Sequence, residues 1–466
     1  MSTEQARKGL SRREFLTAGA GVGVGAALSG LVARNAMAVP SRDRRQARPS
    51  EGGYGPLEPA GPELALPAGF TYRMFGVEGS TMSDGNPTPK AHDGMAAFEL
   101  PNGNVRLIRN HEDRDNALNS TVKGDPATAY DSRAGGSTTS LEVRPDGERE
   151  LVKDFISLNG TYVNCAGGPT PQGSWITCEE TTAGETQGFA KDHGYNFEVP
   201  ASAEDEVEAV PLKAMGRFVH EAVAVDPGTG FVYETEDRST SGFYRFLPNK
   251  PGKLAAGGRL QMLAIMGKPG YDTRTGQRVD ESLPVRWVDI ENPDPDAAEG
   301  DDLAVYQQGK EKGGATFSRL EGCWHGGDGN IFFSATDGGD AGLGQVWQYR
   351  PRQGRRGPRL RLLFESSSPE MLDGPDNIAV SPRGGIAICE DGAGDQFIRG
   401  LTRQGKIFDF AQNILVPPPE GSDQEVQQSE FAGATFSPRG GETLFVNVQT
   451  PGLTFAIWGP WEDGAL

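Results

Sequence analysis

Acidic and amide residues stand at the start of six similar β-rich segments, which recur about every 55 residues in the later part of the chain. Carboxylates that are brought close together repel one another, and their removal from water adds a further cost. A bound multivalent cation relieves both costs, so convergence of these residues predicts a metal site. The residues at these positions are Asp93, Asn164, Glu221, Glu321, Asp376, Asn377 and Glu430.

A second set of acidic residues ends the β-run that follows each opening residue. Such oxygen ligands suit Ca²⁺ or Mg²⁺. Cys178 precedes Glu179 in one of these runs, and its softer thiolate suits iron or zinc. Cys165, Cys323 and Cys389 are instead interpreted as small buried hydrophobic residues. The predicted metal ligands are Cys178, Glu112, Glu179, Glu221, Asp237, Glu321, Asp376, Glu390 and Glu430.

Arg319, two residues before Glu321, is the predicted catalytic residue. Its planar guanidinium matches the oxygens of a phosphate group, so we expect it to orient an anionic substrate beside the metal site. A surface salt bridge is the alternative role for this side chain. The sequence contains no Gly-x-Ser-x-Gly nucleophile motif and no Gly-Lys-Ser/Thr phosphate loop, which argues against serine-esterase and nucleotide-loop mechanisms.

The elements that must position these residues are β-hairpins. In each segment the opening residue is followed by an alternating run, a Gly-containing turn and a second β-run, and short third runs rich in aromatic residues often follow. Six such units predict an all-β fold, a six-bladed β-propeller in which the innermost strands line a channel. We expect one domain over residues 66–466, with residues 113–135 and 268–314 as loop insertions on one face.

The N-terminus has the pattern of an export signal. Arg12-Arg13 precede a short run of Gly, Ala and Val, and Ala36-Met37-Ala38 forms a small-x-small cleavage site. We therefore predict a twin-arginine signal peptide at 1–38 and a flexible lead-in at 39–65, with the twin-arginine export machinery as a partner. The expected location is the periplasm or the cell exterior, with no membrane anchor, because the apolar run is short and only weakly hydrophobic.

The net charge limits the classes of partner. The whole chain carries a formal charge of −19. Removal of residues 1–38, which contain five basic and two acidic residues, changes this charge to −22. Nucleic acids and anionic membranes attract basic surfaces, so neither is expected as a partner. We expect a monomer that acts on a small molecule.

Several sequence blocks resemble the PhoX-type bacterial alkaline phosphatases. The resemblance extends from about residue 65 to the C-terminus. The Thr-Cys-Glu-Glu and Arg-Phe-x-His-Glu motifs are specific when they occur together. The matching blocks are Asn110-His111-Glu112, the stretches 164–170 and 177–180, the stretch 216–221, and Pro375-Asp376-Asn377.

This resemblance implies a phosphomonoesterase that acts on small phosphate esters with an iron and calcium cluster in the propeller channel. Cys178 matches by its motif the cysteine among the iron ligands. The stretch 317–321 matches an Arg-x-Glu segment that meets the phosphate, with Leu320 where the family pattern has Pro.

Two other functions are compatible with the residues alone. A non-catalytic propeller could use calcium for stability and bind a partner, and acidic residues at strand ends also cap loops or face water. A lactonase-like propeller hydrolase could use a single Ca²⁺, although such a site has little use for the thiolate of Cys178.

Overall fold

The structure is a computed structural model that describes residues 52–351, 357–415 and 429–466. The predicted signal peptide 1–38 and the first part of the predicted lead-in lie outside the described residues. The later part of the lead-in forms two short strands, β1 (Leu57–Pro59) and β2 (Leu64–Pro67). Regular structure therefore begins before residue 66, because the apolar residues of β2 are buried in the core.

The described residues form 26 strands and are almost without helix, as predicted. One α-helix, α1 (Ala304–Glu311), lies in the predicted insertion 268–314, and short 3-10 helices occur at Glu185–Gln187, Lys213–Met215, Leu254–Ala256, Asp296–Glu299 and Trp461–Asp463. The strands of the first half are β3 (Thr71–Phe75), β4 (His92–Glu99), β5 (Val105–His111), β6 (Gly136–Val143), β7 (Leu151–Thr161), β8 (Asn164–Pro169), β9 (Ser174–Glu179), β10 (Asn196–Pro200), β11 (His220–Val225), β12 (Val232–Glu236), β13 (Phe243–Pro248) and β14 (Gly258–Ile265).

The second half of the chain continues in the same way after β15 (Ser282–Asp289), which also falls within the predicted insertion. The remaining strands are β16 (Leu320–His325), β17 (Ile331–Ala335), β18 (Gln345–Arg350), β19 (Arg359–Glu365), β20 (Pro375–Val380), β21 (Ile386–Glu390), β22 (Phe397–Leu401), β23 (Ile407–Asn413), β24 (Phe431–Phe436), β25 (Leu444–Val448) and β26 (Leu453–Trp458).

The described strands form antiparallel sheets in a propeller-like arrangement. Two four-stranded sheets have the orders β4-β5-β6-β7 and β24-β25-β26-β3, and a three-stranded sheet has the order β10-β9-β8. A six-stranded sheet runs β1-β2-β23-β22-β21-β20, and a nine-stranded sheet runs β11-β12-β13-β14-β15-β19-β18-β17-β16. The described sheets thus number five rather than the predicted six, because β15 pairs with β19 and joins two units.

All six predicted hairpins are present, as the pairs β4/β5, β8/β9, β11/β12, β16/β17, β20/β21 and β24/β25. The first strand of each pair lies at the edge of its sheet, and neighbouring first strands contact one another. A Cβ atom on Gly94 would lie 2.6 Å from Cα of Ala166, and one on Gly322 would lie 2.5 Å from the backbone nitrogen of Ile378. Glycine at these two positions therefore lets neighbouring first strands come together.

The hydrophobic core lies between neighbouring sheets. Separate clusters of buried aliphatic and aromatic side chains fill the spaces between them. Trp324 on β16 is partly buried and packs against three of these clusters. Because the sheets are fixed against one another in this way, the first strands form a rigid frame for the side chains at their ends.

Candidate metal centre

Each hairpin has an irregularity in its register near the start of its first strand. Two residues of the first strand lie within each interruption, and bulges of this kind re-aim side chains. In five hairpins the first of these two residues bears a metal-ligating group. They are Asp93, Cys165, Glu221, Glu321 and Asp376, and the sixth hairpin has Gly433 at this position.

The second strands provide an equivalent position of their own. In five hairpins the residue just before the bulge pairs with the last residue of the second strand, as His92 does with His111 and Asn164 with Glu179. Successive residues of an extended chain face opposite sides. The residue that follows the last paired residue of the second strand therefore faces the centre of the propeller-like arrangement. In four hairpins that next residue is Glu112, Glu180, Asp237 or Asp391.

These two positions bring potential ligands close together. Within the described ranges, four groups of three side chains each have their ligand atoms within 4.8 Å of one another. Three groups share members, and Asp376 of the fourth is near enough to raise the pKa values of Glu221 and Glu321. The groups are Asp93, Glu112 and Cys165; Cys165, Glu180 and Glu221; Glu221, Asp237 and Glu321; and Asp376, Asp391 and Glu430.

Cys165 links two of these groups. Its thiol lies 3.0 Å from Oε1 of Glu221 and 3.7 Å from Oδ2 of Asp93, and its side chain is fully buried. Burial raises the pKa of the thiol well above its usual value, and the charges of Asp93, Glu221 and Glu112 raise it further. Burial and these carboxylates all disfavour the thiolate, which is the form that ligates metals, and a bound cation would favour it.

The buried carboxylates test whether the residues fit a cation. Burial raises the pKa of Glu221 well above its usual value, with contributions from Glu321 and Glu180, and burial together with Asp237 does the same to Glu321. Oε2 of Glu221 and Oε2 of Glu321 accept no hydrogen bond from any described residue. Buried carboxylate oxygens are normally hydrogen-bonded, so these two atoms fit the needs of a multivalent cation.

Arg319 adjoins the acidic groups, as predicted from its place beside Glu321. Its Nε and Nη2 donate to the two oxygens of Asp237 at 3.0 and 3.2 Å, and Nη2 also donates to Oε1 of Glu321 at 2.6 Å. Burial opposes the charge of the guanidinium, but Asp237 and Glu321 raise the pKa of Arg319 above its usual value. The residue has a left-handed φ of 42°, which turns its side chain at the entrance to β16.

Two further polar residues at the site were not predicted from the sequence. Nη2 of Arg114 donates to Glu112 and to Glu180. Nε2 of Gln449 donates to Oδ2 of Asp93 at 3.0 Å and to Oε2 of Glu112 at 2.6 Å. Gln449 directly follows the second strand β25, so the repeat position could have identified it, whereas Arg114 lies three residues after β5 and has no such signal.

Six of the nine predicted ligands belong to these groups, namely Glu112, Glu221, Asp237, Glu321, Asp376 and Glu430. Glu179 and Glu390 do not, because each precedes by one residue the position that faces the centre. Glu179 accepts hydrogen bonds from the backbone of Gly194 and Tyr195 and contacts His193 at 2.7 Å. Glu390 accepts from Arg399 and from the backbone of Asp373.

The structure also brings Cys165 rather than the predicted Cys178 to the acidic groups. Cys178 lies one residue before Glu179 and packs in a hydrophobic cluster with Ile176 and Phe218. Burial raises the pKa of its thiol well above the usual value, and the side chain belongs to none of the four groups. Cys165 is buried, as expected of a core residue, but its thiol also contacts two carboxylates.

His193 forms a buried ion pair behind the site. Its Nδ1 lies 2.7 Å from Glu179, and its Nε2 lies 3.5 Å from Asp131 in the predicted insertion 113–135. Burial opposes the charge, but Glu179 and Asp131 raise the pKa of His193 to about 9. The charged imidazole thus ties the insertion to the end of β9, directly beside Glu180.

Comparisons with known proteins point to one family. A family model described as alkaline phosphatase PhoX matches residues 52–452. No curated protein matches the chain significantly. Among solved structures, PhoX from Pseudomonas fluorescens in complex with vanadate, a transition state analogue, is similar at 17% identity and a TM-score of 0.63, over 90% of this chain and 99% of that chain.

Other solved structures are less similar. A gluconolactonase from Xanthomonas campestris has 13% identity and a TM-score of 0.38, over 89% of this chain and 99% of that chain. A virginiamycin B lyase from Staphylococcus aureus has 12% identity and a TM-score of 0.36, over 84% of this chain and 99% of that chain.

Proposed function

The chain belongs to the PhoX alkaline phosphatase family and is a phosphatase, a phosphoric monoester hydrolase. From this premise we propose that it is an exported enzyme that works with an iron and calcium cluster held by the four acidic groups. The observation that carries the proposal is the position of Cys165, a buried thiol in contact with Glu221 and Asp93. A site for a hard cation alone would need no thiolate.

The residues of the four groups divide by their chemistry. Iron suits the neighbourhood of Cys165, where a thiolate and the carboxylates of Asp93, Glu112, Glu180 and Glu221 are available. Calcium prefers oxygen ligands alone, and the group of Asp376, Asp391 and Glu430 offers only carboxylates. When bound, these cations supply Lewis-acid stabilisation of the phosphoryl oxygens.

The chain's own part in the reaction is to bind and orient the ester. Arg319 lies at the edge of the acidic groups with 26% of its side chain exposed, so the guanidinium can meet a substrate that approaches from solvent. Its fork can hold two phosphoryl oxygens at once. The rigid frame of first strands keeps the ligand positions fixed, so that little reorganisation is needed as charge develops on the phosphoryl group.

We also propose that the enzyme is a six-bladed propeller and that it is exported. The nine-stranded sheet is counted as two blades joined by β15, which gives a six-bladed propeller in a single domain. The arginine pair at 12–13 supports export of the folded protein by the twin-arginine route to the periplasm or the cell exterior. We propose a monomer without a membrane anchor, and no helix in the described part of the chain is long and apolar enough to cross a membrane.

The proposal can be tested on protein purified after native export. Elemental analysis should find iron and calcium, and a generic phosphomonoester should be hydrolysed. Thorough chelation should abolish the hydrolysis, and iron with calcium should restore it. Full activity in chelated protein would contradict the metal-dependent mechanism, while failure to hydrolyse any phosphomonoester in the metal-loaded state would contradict the phosphatase assignment itself.

A further inference from the structure

Arg114 covers two of the acidic residues, neither of which contacts Arg319 in a described hydrogen bond. It lies two residues after Glu112, and its Nη2 donates to both Glu112 and Glu180. These two glutamates belong to different groups that share Cys165. The side chain of Arg114 is 30% exposed, against 2% for Glu112 and 9% for Glu180, so the guanidinium lies nearer to solvent than the carboxylates it covers.

Arg319 has the same relationship to the other side of the site. It donates to Asp237 and Glu321, which are 9% and 1% exposed, while its own side chain is 26% exposed. Glu221 connects the two sides, because it is grouped with Glu180 on one side and with Asp237 and Glu321 on the other. The two arginines therefore flank the centre of the site, each above a different pair of carboxylates.

The backbone of Arg114 is held in place while its side chain is accessible. Tyr162 donates a hydrogen bond from its hydroxyl to the carbonyl oxygen of Arg114 at 3.1 Å. The preceding residue, Asp113, pairs with Lys90 at 3.4 Å and with Lys123 at 3.1 Å. A fixed backbone limits the side chain of Arg114 to positions close to the site. Less conformational entropy is therefore lost when the side chain binds an anion other than Glu112 and Glu180.

Occupation of the acidic groups changes what Arg114 can bind. A carboxylate oxygen that ligates a cation is a weaker acceptor for a guanidinium, because the cation withdraws its charge. Glu112 and Glu180 both belong to groups that could ligate a cation, so metal loading weakens their hold on Arg114. The guanidinium then remains above the site, and its planar geometry matches the oxygens of a phosphate group.

On the basis of the proposed function, we infer that Arg114 is a second substrate-binding arginine, which moves from Glu112 and Glu180 to a phosphoryl oxygen when the site holds its metals. Arg319 and Arg114 then bind the phosphoryl group from two sides.

The test compares variants in the metal-loaded enzyme with inorganic phosphate as the probe. Arg114→Gln should weaken the binding of phosphate, measured by calorimetry and by competitive inhibition, by about 10- to 100-fold, the usual cost of a lost hydrogen bond to a charged group. Metal content, measured on the same samples, should stay at the wild-type level. Arg114→Lys keeps the positive charge but lacks the planar guanidinium that can donate two parallel hydrogen bonds. This variant should bind phosphate with intermediate affinity.

Arg403→Gln is the matched control. Arg403 is 29% exposed and pairs with Asp328 in a hairpin turn, at the opposite ends of the strands from the acidic groups. This variant should bind phosphate as the wild type does. Wild-type phosphate affinity in a metal-loaded Arg114→Gln enzyme would show that the residue makes only a structural ion pair and would overturn the inference.

Loss of metal from Arg114→Gln and Arg114→Lys alike, before phosphate is added, would also overturn the inference, because it would assign the residue to holding Glu112 and Glu180. Neither result contradicts the proposed function, which is tested by the metal content and the activity of the wild-type protein. An inactive, metal-loaded wild type would reject the phosphatase assignment whatever the behaviour of Arg114.

Discussion

The thiol of Cys165 and the carboxylate of Glu221 lie 3.0 Å apart, fully buried, at equivalent positions of neighbouring hairpins. Each follows directly the last paired residue before a bulge, Asn164 in one hairpin and His220 in the next. Two groups that both prefer to be neutral when buried are thus held in contact by the repeat. A cation between them would let both ionise, which accounts for the arrangement more simply than a structural role does.

Replacement of Glu221 should have opposite effects on the metal-free and metal-loaded protein. Burial and neighbouring carboxylates raise the pKa of Glu221, so above the usual glutamate pKa the folded, metal-free protein retains a proton that the unfolded chain has released. Stability is therefore lost as the pH rises, and Glu221→Gln removes this loss. At pH 8 the chelated variant should unfold on the order of a few degrees higher than the wild type.

The same Glu221→Gln variant should contain less metal after loading, as measured by elemental analysis. Glu198, a partly exposed carboxylate on β10, supplies the control, and Glu198→Gln should leave the metal content unchanged. If chelated Glu221→Gln unfolded at a lower temperature than the chelated wild type, the carboxylate would be a stabilising structural group and not a metal ligand.

Arg319→Lys should impair turnover without loss of metal. Lysine keeps the positive charge beside Asp237 and Glu321 but cannot make the two-pronged contact with a phosphoryl group. We expect kcat/KM for a phosphomonoester to fall by about 10²- to 10³-fold, as on removal of one donor to the developing charge. Arg361 on β19 forms an ion pair with Asp280, and the control variant Arg361→Lys should retain wild-type kinetics. Equal kinetics in the two variants would remove Arg319 from the reaction.

The ion pairs of His193 predict a loss of stability in alkali. The pKa of His193 is raised to about 9 in the folded protein, so its contribution is complete below the usual histidine pKa and disappears as the pH rises through 9. The free energy of unfolding should decline between pH 7 and pH 10 by at most roughly 3 kcal/mol from this residue. His193→Gln should show a smaller decline, measured by urea denaturation, and an identical decline would exclude His193 as its source.

The repeat could be predicted from the sequence, but its register could not. The opening residue, the Gly-containing turn and the second β-run recur in each segment. The hairpins and the propeller-like fold can therefore be predicted from the turn residues and from the alternation of apolar and polar residues. In the second hairpin the sequence pattern indicates Asn164 as the opening residue, because its polar side chain resembles those of the other opening residues. The bulge places Cys165 there instead. A shift of one residue sends a side chain to the opposite face.

The same shift explains Glu179 and Glu390. The acidic pairs 179–180 and 390–391 each offer two candidates, and sequence alone does not say which one faces the centre. The structure resolves this through Glu179 and Glu390, which bind backbone N–H groups of adjacent loops and so cannot turn inward. The joining of two units by β15 was also not predictable, because a strand within a long insertion has no counterpart in the repeat.

The most direct test of the metal centre compares Cys165→Ser with Cys178→Ser, two buried cysteines that differ in their contact with the acidic groups. We predict that Cys165→Ser loses iron and phosphatase activity, while Cys178→Ser keeps both at the wild-type ratio of iron to protein. The account would be contradicted if Cys165→Ser retained its iron and activity, or if Cys178→Ser were the variant that lost them.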